Sequence, residues 1–195
     1  MVDIEQAIQK CDKCTGLTKL TCATISYGTN SDLLFIGESP AKNGWILTGR
    51  AFYDKNSKFL PTGRILNKLL SILNLSIDDI TFTEACKCYI PDRNLLKQSS
   101  KNCLLFLERQ IDSLNSKILI PLGEHPTRIL LPDMSFKRFG EVVGKKYVVE
   151  IMGKEKIIIP IYHPSPINPK SYSNNIVVFE KIKEIYDELL KSIDK

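Results

Sequence analysis

The sequence contains no apolar run near the roughly 18 residues that a membrane-crossing helix needs. Its longest candidates, such as Ile157-Ile158-Ile159-Pro160-Ile161-Tyr162, are strand-sized. It has no low-complexity tract, no internal repeat and no linker rich in Gly, Ser or Pro, so residues 1–195 are expected to form a single domain. The opening Met1-Val2-Asp3-Ile4-Glu5 carries acids and no apolar stretch, which argues against a secretory signal. With 43% apolar and 25% charged residues, a fibrous or wholly disordered chain is excluded. The expectation is a soluble, cytoplasmic protein without a membrane partner.

The chain has 27 basic against 22 acidic residues, a formal charge of +5. That mild excess permits a polyanionic partner without demanding one. The six cysteines, Cys11, Cys14, Cys22, Cys86, Cys88 and Cys103, say more. In a reducing compartment they are not expected as disulfides, and the short spacing of Cys11 and Cys14 points to metal ligation. Cys88 and Cys103 supply a second pair once the loop between them folds back. Zinc and a 4Fe–4S cluster both accept four thiolates, and spacing does not separate them. Cys86 competes with Cys88 for the third place, and Cys22 reads as an inert small hydrophobe.

Residues 33–37, Leu-Leu-Phe-Ile-Gly, form a continuous apolar run of the kind expected of a buried parallel strand. A long polar loop then leads to Pro61-Thr62-Gly63, which opens a helix with Ile65, Leu66, Leu69, Leu70 and Leu73 on one face. Residues 80–83 and 118–123 read as further strands. Between them Ser99 or Ser100 is expected to cap a helix with core positions Leu104, Leu107, Ile111 and Leu114. A short helix passes through Ile129-Leu130-Leu131. Residues 147–151 and 156–162 look like a hairpin, and Val178, Ile182, Ile185, Leu189 and Ile193 mark a last helix. Strands alternating with helices imply an α/β fold, with a mostly parallel sheet and ligands at the carboxyl ends of its strands. The loops starting at Glu38, Glu84 and His163 all lie there.

Three motifs in the loops after Glu38 and His163 carry chemistry. Gly37-Glu38-Ser39-Pro40-Ala41 can turn backbone amides toward a ligand. In Thr48-Gly49-Arg50-Ala51-Phe52-Tyr53, Phe52 is a stacking platform for a base and Arg50 a phosphate contact. His163-Pro164-Ser165-Pro166-Ile167-Asn168-Pro169 places one of only two histidines at a strand end, where it can donate to developing negative charge. Its prolines fix the backbone so that Ile167 can project as an apolar wedge. The other histidine, His125, is expected to be structural.

Taken in order, these motifs resemble the uracil-DNA glycosylase superfamily, in particular its iron–sulfur branches, types 4 and 5. Gly37-Glu38-Ser39-Pro40 is similar to the type 4 signature Gly-Glu-Ala-Pro. Ser39-Pro40-Ala41 followed by Gly44 and Thr48-Gly49-Arg50-Ala51-Phe52 is more like type 5. Lys87-Cys88 with Cys103, and His163-Pro164-Ser165, resemble the remaining signatures, and the likeness spans about residues 11–190. It implies a three-layer α/β/α fold with a central four-stranded, mostly parallel sheet. It also implies a 4Fe–4S cluster on Cys11, Cys14, Cys88 and Cys103, and a monomer that excises uracil or a related deaminated base from DNA. By the same resemblance Phe52 stacks on the extruded base, the Gly37–Glu38 turn contacts it through the backbone, and His163 stabilises charge at O2. Ile167 then fills the gap left in the duplex, and Lys42, Arg50, Lys55, Lys58 and Lys170 contact phosphates.

Two positions differ from the resembled patterns. Ser39 stands where efficient uracil glycosylases carry a water-activating Asp, leaving Asp54 as a substitute. Glu84 stands where type 4 enzymes use an Asn to read the base. An ionised Glu only accepts hydrogen bonds, so Glu84 is expected either to have a raised pKa or to change the preferred base. The alternative outcome is a superfamily member that binds DNA or another modified base with weak or no uracil excision.

Overall fold

The protein is described from a computed structural model, which covers residues 2–14, 17, 22–114 and 116–193. In chain order the elements are α1 (Val2–Gln9), β1 (Ile25–Ser26), β2 (Asn30–Gly37), α2 (Pro61–Leu70), β3 (Ile80–Glu84), α3 (Leu96–Leu114), β4 (Ile118–Pro121), α4 (Glu124–Leu130), β5 (Tyr147–Ile151), β6 (Lys154–Ile158) and α5 (Pro169–Ile193). The strands form one sheet in the order β1-β3-β2-β4-β6-β5. Its four inner strands, β3, β2, β4 and β6, are parallel.

Alternation along β2 explains the layers. Leu33 and Phe35 point to one face, where they meet Leu66, Leu69 and Leu70 of α2 and Val178, Phe179 and Ile182 of α5. Leu34 and Ile36 point to the other, against Leu107 and Ile111 of α3 and Leu130 of α4. Both faces of the sheet are therefore covered, which is why the strand reads as unbroken apolar sequence rather than as alternation. A buried leucine of this kind contributes roughly 1.5–3 kcal/mol through removal from water. Because α2 covers one face while α3 and α4 cover the other, the loop leaving β2 diverges from those leaving β3 and β4. A crevice at the carboxyl edge results. Among the described residues no helix is long and apolar enough to cross a membrane.

The expected four parallel strands are present, but the sheet has six strands because an antiparallel strand pairs on each edge. The β1 edge is only two residues long, too short to leave a periodic signal. The hairpin turns at Met152-Gly153 rather than over four residues, so β6 starts at Lys154. Ser99 and Ser100 do not cap α3. They lie inside it and are buried, with Ser100 Oγ donating to the Leu96 carbonyl at 2.9 Å. The helix is preceded by a turn capped by Asp92, which accepts from the Asn94 amide at 2.9 Å. Leu104 is exposed, and the buried face of α3 instead includes Cys103, Phe106 and Gln110. Polar residues on that face bond internally, so hydropathy alone misassigns it.

Candidate active site

At the carboxyl edge a cleft of about 610 Å³ opens, a size suited to a small organic group. Gly37, Glu38, Ser39, Phe52, Glu84 and His163 all line it. The three loops singled out in the sequence therefore meet in one place. Its base is aromatic: Phe82 packs against Phe52 with ring centroids 4.5 Å apart and against Trp45 at 5.5 Å.

Two glycines permit the approach of the walls. A Cβ on Gly37 would lie 2.1 Å from Glu84 Oε2, so only a bare α-carbon admits that carboxyl. Gly123 has φ of 97° and passes the His163 side chain so closely that a Cβ would lie 3.2 Å from His163 Cβ. The segment before His163 is pinned to α5 by Asn175, which accepts from the Tyr162 amide at 2.9 Å and donates to its carbonyl at 2.8 Å. His163 lines the cleft with an exposed side chain. Partial loss of solvation lowers the imidazole from its usual range, against the pull of Glu38. That direction favours the neutral ring at pH 7.

Phe52 is held with φ of 68°, a conformation costly for a bulky residue and often found where function requires it. Glu38 is gripped by Arg93 through two parallel bonds of 2.8 and 2.9 Å, joining the loop after β2 to the one after β3. Ser39 lines the cleft and is partly exposed. Glu84 is buried, and its Oε2 has no hydrogen-bond partner among the described residues. Burial raises its pKa well above the ordinary carboxylate value. Nearby Lys87 opposes that shift only in part, and Glu38 adds to it. Lys87 is itself buried, and its ammonium donates to Thr83 Oγ1 at 2.9 Å, Gln110 Oε1 at 2.5 Å and the Glu84 backbone carbonyl.

Ile167 does not line the cleft. It is 92% exposed, in a turn held by the Ser165 amide donating to the His163 carbonyl at 2.7 Å. Asp54 does not face the cleft either. Its carboxylate accepts from the Asn56 and Lys58 amides at 2.8 and 2.9 Å, bonds that keep its pKa low. Arg50 is already engaged, lying 3.9 Å from the Tyr53 ring centroid and 3.4 Å from Asp78. Lys42, Lys55 and Lys58 are exposed, and the side chain of Lys170 lies outside the described residues. His125, expected to be structural, lines the cleft, and its Nε2 is buried without a partner among the described residues. Trp45, Phe82, Arg93 and Arg128 also line the cleft, none of them expected from the sequence. Phe82 carried a usable signal, since it sits in the last turns of a strand that ends at the site.

The thiols gather away from this cleft. Cys22 Sγ is 3.0 Å from Cys88 Sγ and within electrostatic reach of Cys11, Cys14 and Cys103, which corrects its reading as an inert hydrophobe. Tertiary folding, which spacing does not encode, brings it there. The Lys87 amide donates to Cys103 Sγ at 3.5 Å and Asn102 Nδ2 to Cys14 Sγ at 3.4 Å. Cys86 is buried against Ile90 and Leu96, with its thiol donating to the Leu96 carbonyl at 3.8 Å, and it too is within electrostatic reach of Cys103 and Cys14. None of the six is in a disulfide. Among the described residues no three Cys, His, Asp or Glu side chains converge tightly enough for a single metal ion.

A family model described as the uracil DNA glycosylase superfamily matches residues 25–189. The chain is 34% identical over 188 residues to a type-4 uracil-DNA glycosylase of Saccharolobus solfataricus, covering 93% of this chain and 84% of that protein. It is 31% identical over 189 residues to the type-4 enzyme of Sulfurisphaera tokodaii, covering 93% and 83%. Against a type-5 uracil-DNA glycosylase of Pyrobaculum aerophilum the match is 28% over 157 residues, covering 71% and 63%.

Proposed function

The chain belongs to the uracil-DNA glycosylase superfamily, and from that premise we propose that it is a DNA base-excision repair enzyme hydrolysing the N-glycosidic bond of uracil. The observation that carries this reading is the convergence of Gly37, Glu38, Phe52, Glu84 and His163 on one cleft at the carboxyl edge of the sheet. The continuous six-stranded sheet supports reading residues 1–195 as one domain, and we propose that it acts as a monomer. An intracellular setting agrees with six cysteines of which none is in a disulfide.

The target nucleotide must leave the duplex to reach this edge, at a cost of a few kcal/mol. Exposed Ile167, in the turn after His163, would fill the vacated space. The base then lies against Phe52, with its edge toward Glu84. As the bond between the base nitrogen and C1′ breaks, the electron pair moves to the base and positive charge builds on the sugar. Neutral His163 donates a hydrogen bond to the base oxygen on which negative charge grows. Such a donor, aimed before the reaction, stabilises the transition state by about 3–4 kcal/mol. Water adds to C1′, and its proton ends on the departed base anion, leaving neutral uracil and an abasic sugar. Ser39 is a weak base at neutral pH and Glu38 is committed to Arg93, so rate depends chiefly on leaving-group stabilisation.

The thiols fit a cysteine-bound group: Cys22 and Cys88 are neighbours, no cysteine is in a disulfide, and Cys14 and Cys103 accept N–H bonds, as cluster sulfurs do. Cys11, Cys14, Cys88 and Cys103 would hold a 4Fe–4S cluster. Bound there, it would tie the chain after α1 to the loop after β3 and to α3.

The test is single-turnover excision of uracil from a labelled oligonucleotide. His163→Ala should lower the rate about 100- to 1,000-fold with little change in oligonucleotide affinity. Cleavage by this variant at the wild-type rate would remove His163 from the mechanism.

A further inference from the structure

A 4Fe–4S cluster takes four thiolates, which leaves Cys22 and Cys86 over once Cys11, Cys14, Cys88 and Cys103 are assigned to it. Cys86 is buried against Ile90 and Leu96. Cys22 is placed differently: its Sγ lies 3.0 Å from that of Cys88. The sulfurs of a disulfide stand about 2.05 Å apart, so this pair is roughly 1 Å short of a covalent bond. The backbone builds the pair, rather than the chance rotation of two side chains. The Ala23 amide donates to the Lys87 carbonyl at 2.8 Å, the Thr24 carbonyl accepts from Gln110 Nε2 at 3.2 Å, and Ile25 pairs with Thr83 in the sheet. None of these contacts uses a thiol, so they hold the two cysteines together whether or not Cys88 carries iron. Both residues are half-buried, which leaves them open to a small solute.

Given the cluster assignment above, on which this inference rests, we propose that Cys22 and Cys88 are a site of reversible disulfide formation that competes with the cluster for Cys88. The oxidant is a small disulfide of the glutathione class. In a chain without its cluster, the Cys88 thiolate attacks one sulfur of that disulfide, forms a mixed disulfide and expels the first small thiolate. Cys22 then attacks the Cys88 sulfur, the Cys22–Cys88 bond forms, and the second small thiolate leaves. Two protein thiols are oxidised, one small disulfide is reduced to two thiols, and the two protein protons end on those thiols. While Cys88 carries iron its sulfur is engaged and the reaction is blocked. Once the disulfide has formed, the cluster cannot be rebuilt until a reductant reopens it. The bond also keeps Cys88 on the reversible part of the oxidation ladder, short of sulfinic acid.

The test exposes the full-length protein to oxidised glutathione, first loaded with iron and sulfide and then after the iron is removed by a chelator under reducing conditions. Free thiols are alkylated and the peptides are mapped by mass spectrometry. Stripped wild type should yield a peptide joining Cys22 to Cys88, exceeding the Cys88–glutathione adduct about tenfold because the second thiol is already in place. Loaded wild type should yield neither. Cys22→Ser should bind as much iron as wild type, and when stripped should hold Cys88 as the glutathione adduct. After oxidation, visible cluster absorbance should return to wild type on adding iron and sulfide only when a dithiol reductant is also present. A stripped wild type that gives the adduct without the joined peptide overturns the proposal. So does a Cys22→Ser protein that binds no iron, since Cys22 would then be a ligand. Wild type that takes up no iron would overturn the cluster reading instead, and peptide mapping of that protein would still decide whether Cys22 and Cys88 bond.

Discussion

Replacing Phe52 with glycine and with alanine separates two things that this residue does at once. Its backbone has φ of 68°, while its ring lies 4.5 Å from that of Phe82 at the base of the cleft. Both variants lose the ring and its packing equally, so that cost cancels between them. Alanine keeps the left-handed strain, about 1–2 kcal/mol for a residue with a Cβ. Glycine relieves it but adds freedom to the unfolded chain, a penalty of roughly 0.5–1 kcal/mol. The difference leaves Phe52→Gly more stable than Phe52→Ala by about 0.5–1 kcal/mol, the reverse of the ordinary ranking. For a domain of this size that is roughly 1–4 °C in Tm, measurable by calorimetry on the two purified variants. Activity should not follow stability. Stacking a base on an aromatic ring contributes about 1–3 kcal/mol, so kcat/KM for a uracil-containing oligonucleotide should fall about 5- to 150-fold in both. An alanine variant melting at or above the glycine variant would refute the strain argument. Wild-type excision by either would refute the stacking role.

Ile167 touches little in the folded protein, so Ile167→Ala should leave stability within about 0.5 kcal/mol of wild type. It should slow excision from a duplex about tenfold, yet barely affect excision from a single strand, which needs no filler; equal loss on both substrates would remove the wedge role. At the hairpin tip Met152 and Gly153 have φ of 52° and 76°, a turn in which asparagine suits the first place better than methionine. Met152→Asn should stabilise the protein by about 0.5–1 kcal/mol in urea denaturation with unchanged activity.

Much of the fold is written in local pattern. The run from Leu33 to Gly37 is apolar at every position because both of its faces are covered, and α2 and α5 show their buried stripes directly in residue spacing. Parallel strands place their carboxyl ends on one edge whatever the details, so the loops at Glu38, Glu84 and His163 had to be neighbours. What spacing does not carry is contact between segments far apart in sequence. Cys22 reaches Cys88 across 66 residues, and Arg93 reaches Glu38 across 55. Asp54 had the right charge for a base, but its Oδ1 is tied to its own loop and it does not line the cleft. Glu84 is the sharpest case: the residue type is read in a single letter, whereas the upward shift of its carboxyl depends on burial beside Gly37 and on where Lys87 directs its donors. Composition and order determined which groups exist and which edge they share. Solvent exclusion and long-range packing, which arise only when the layers close, decided which of those groups remain free to act.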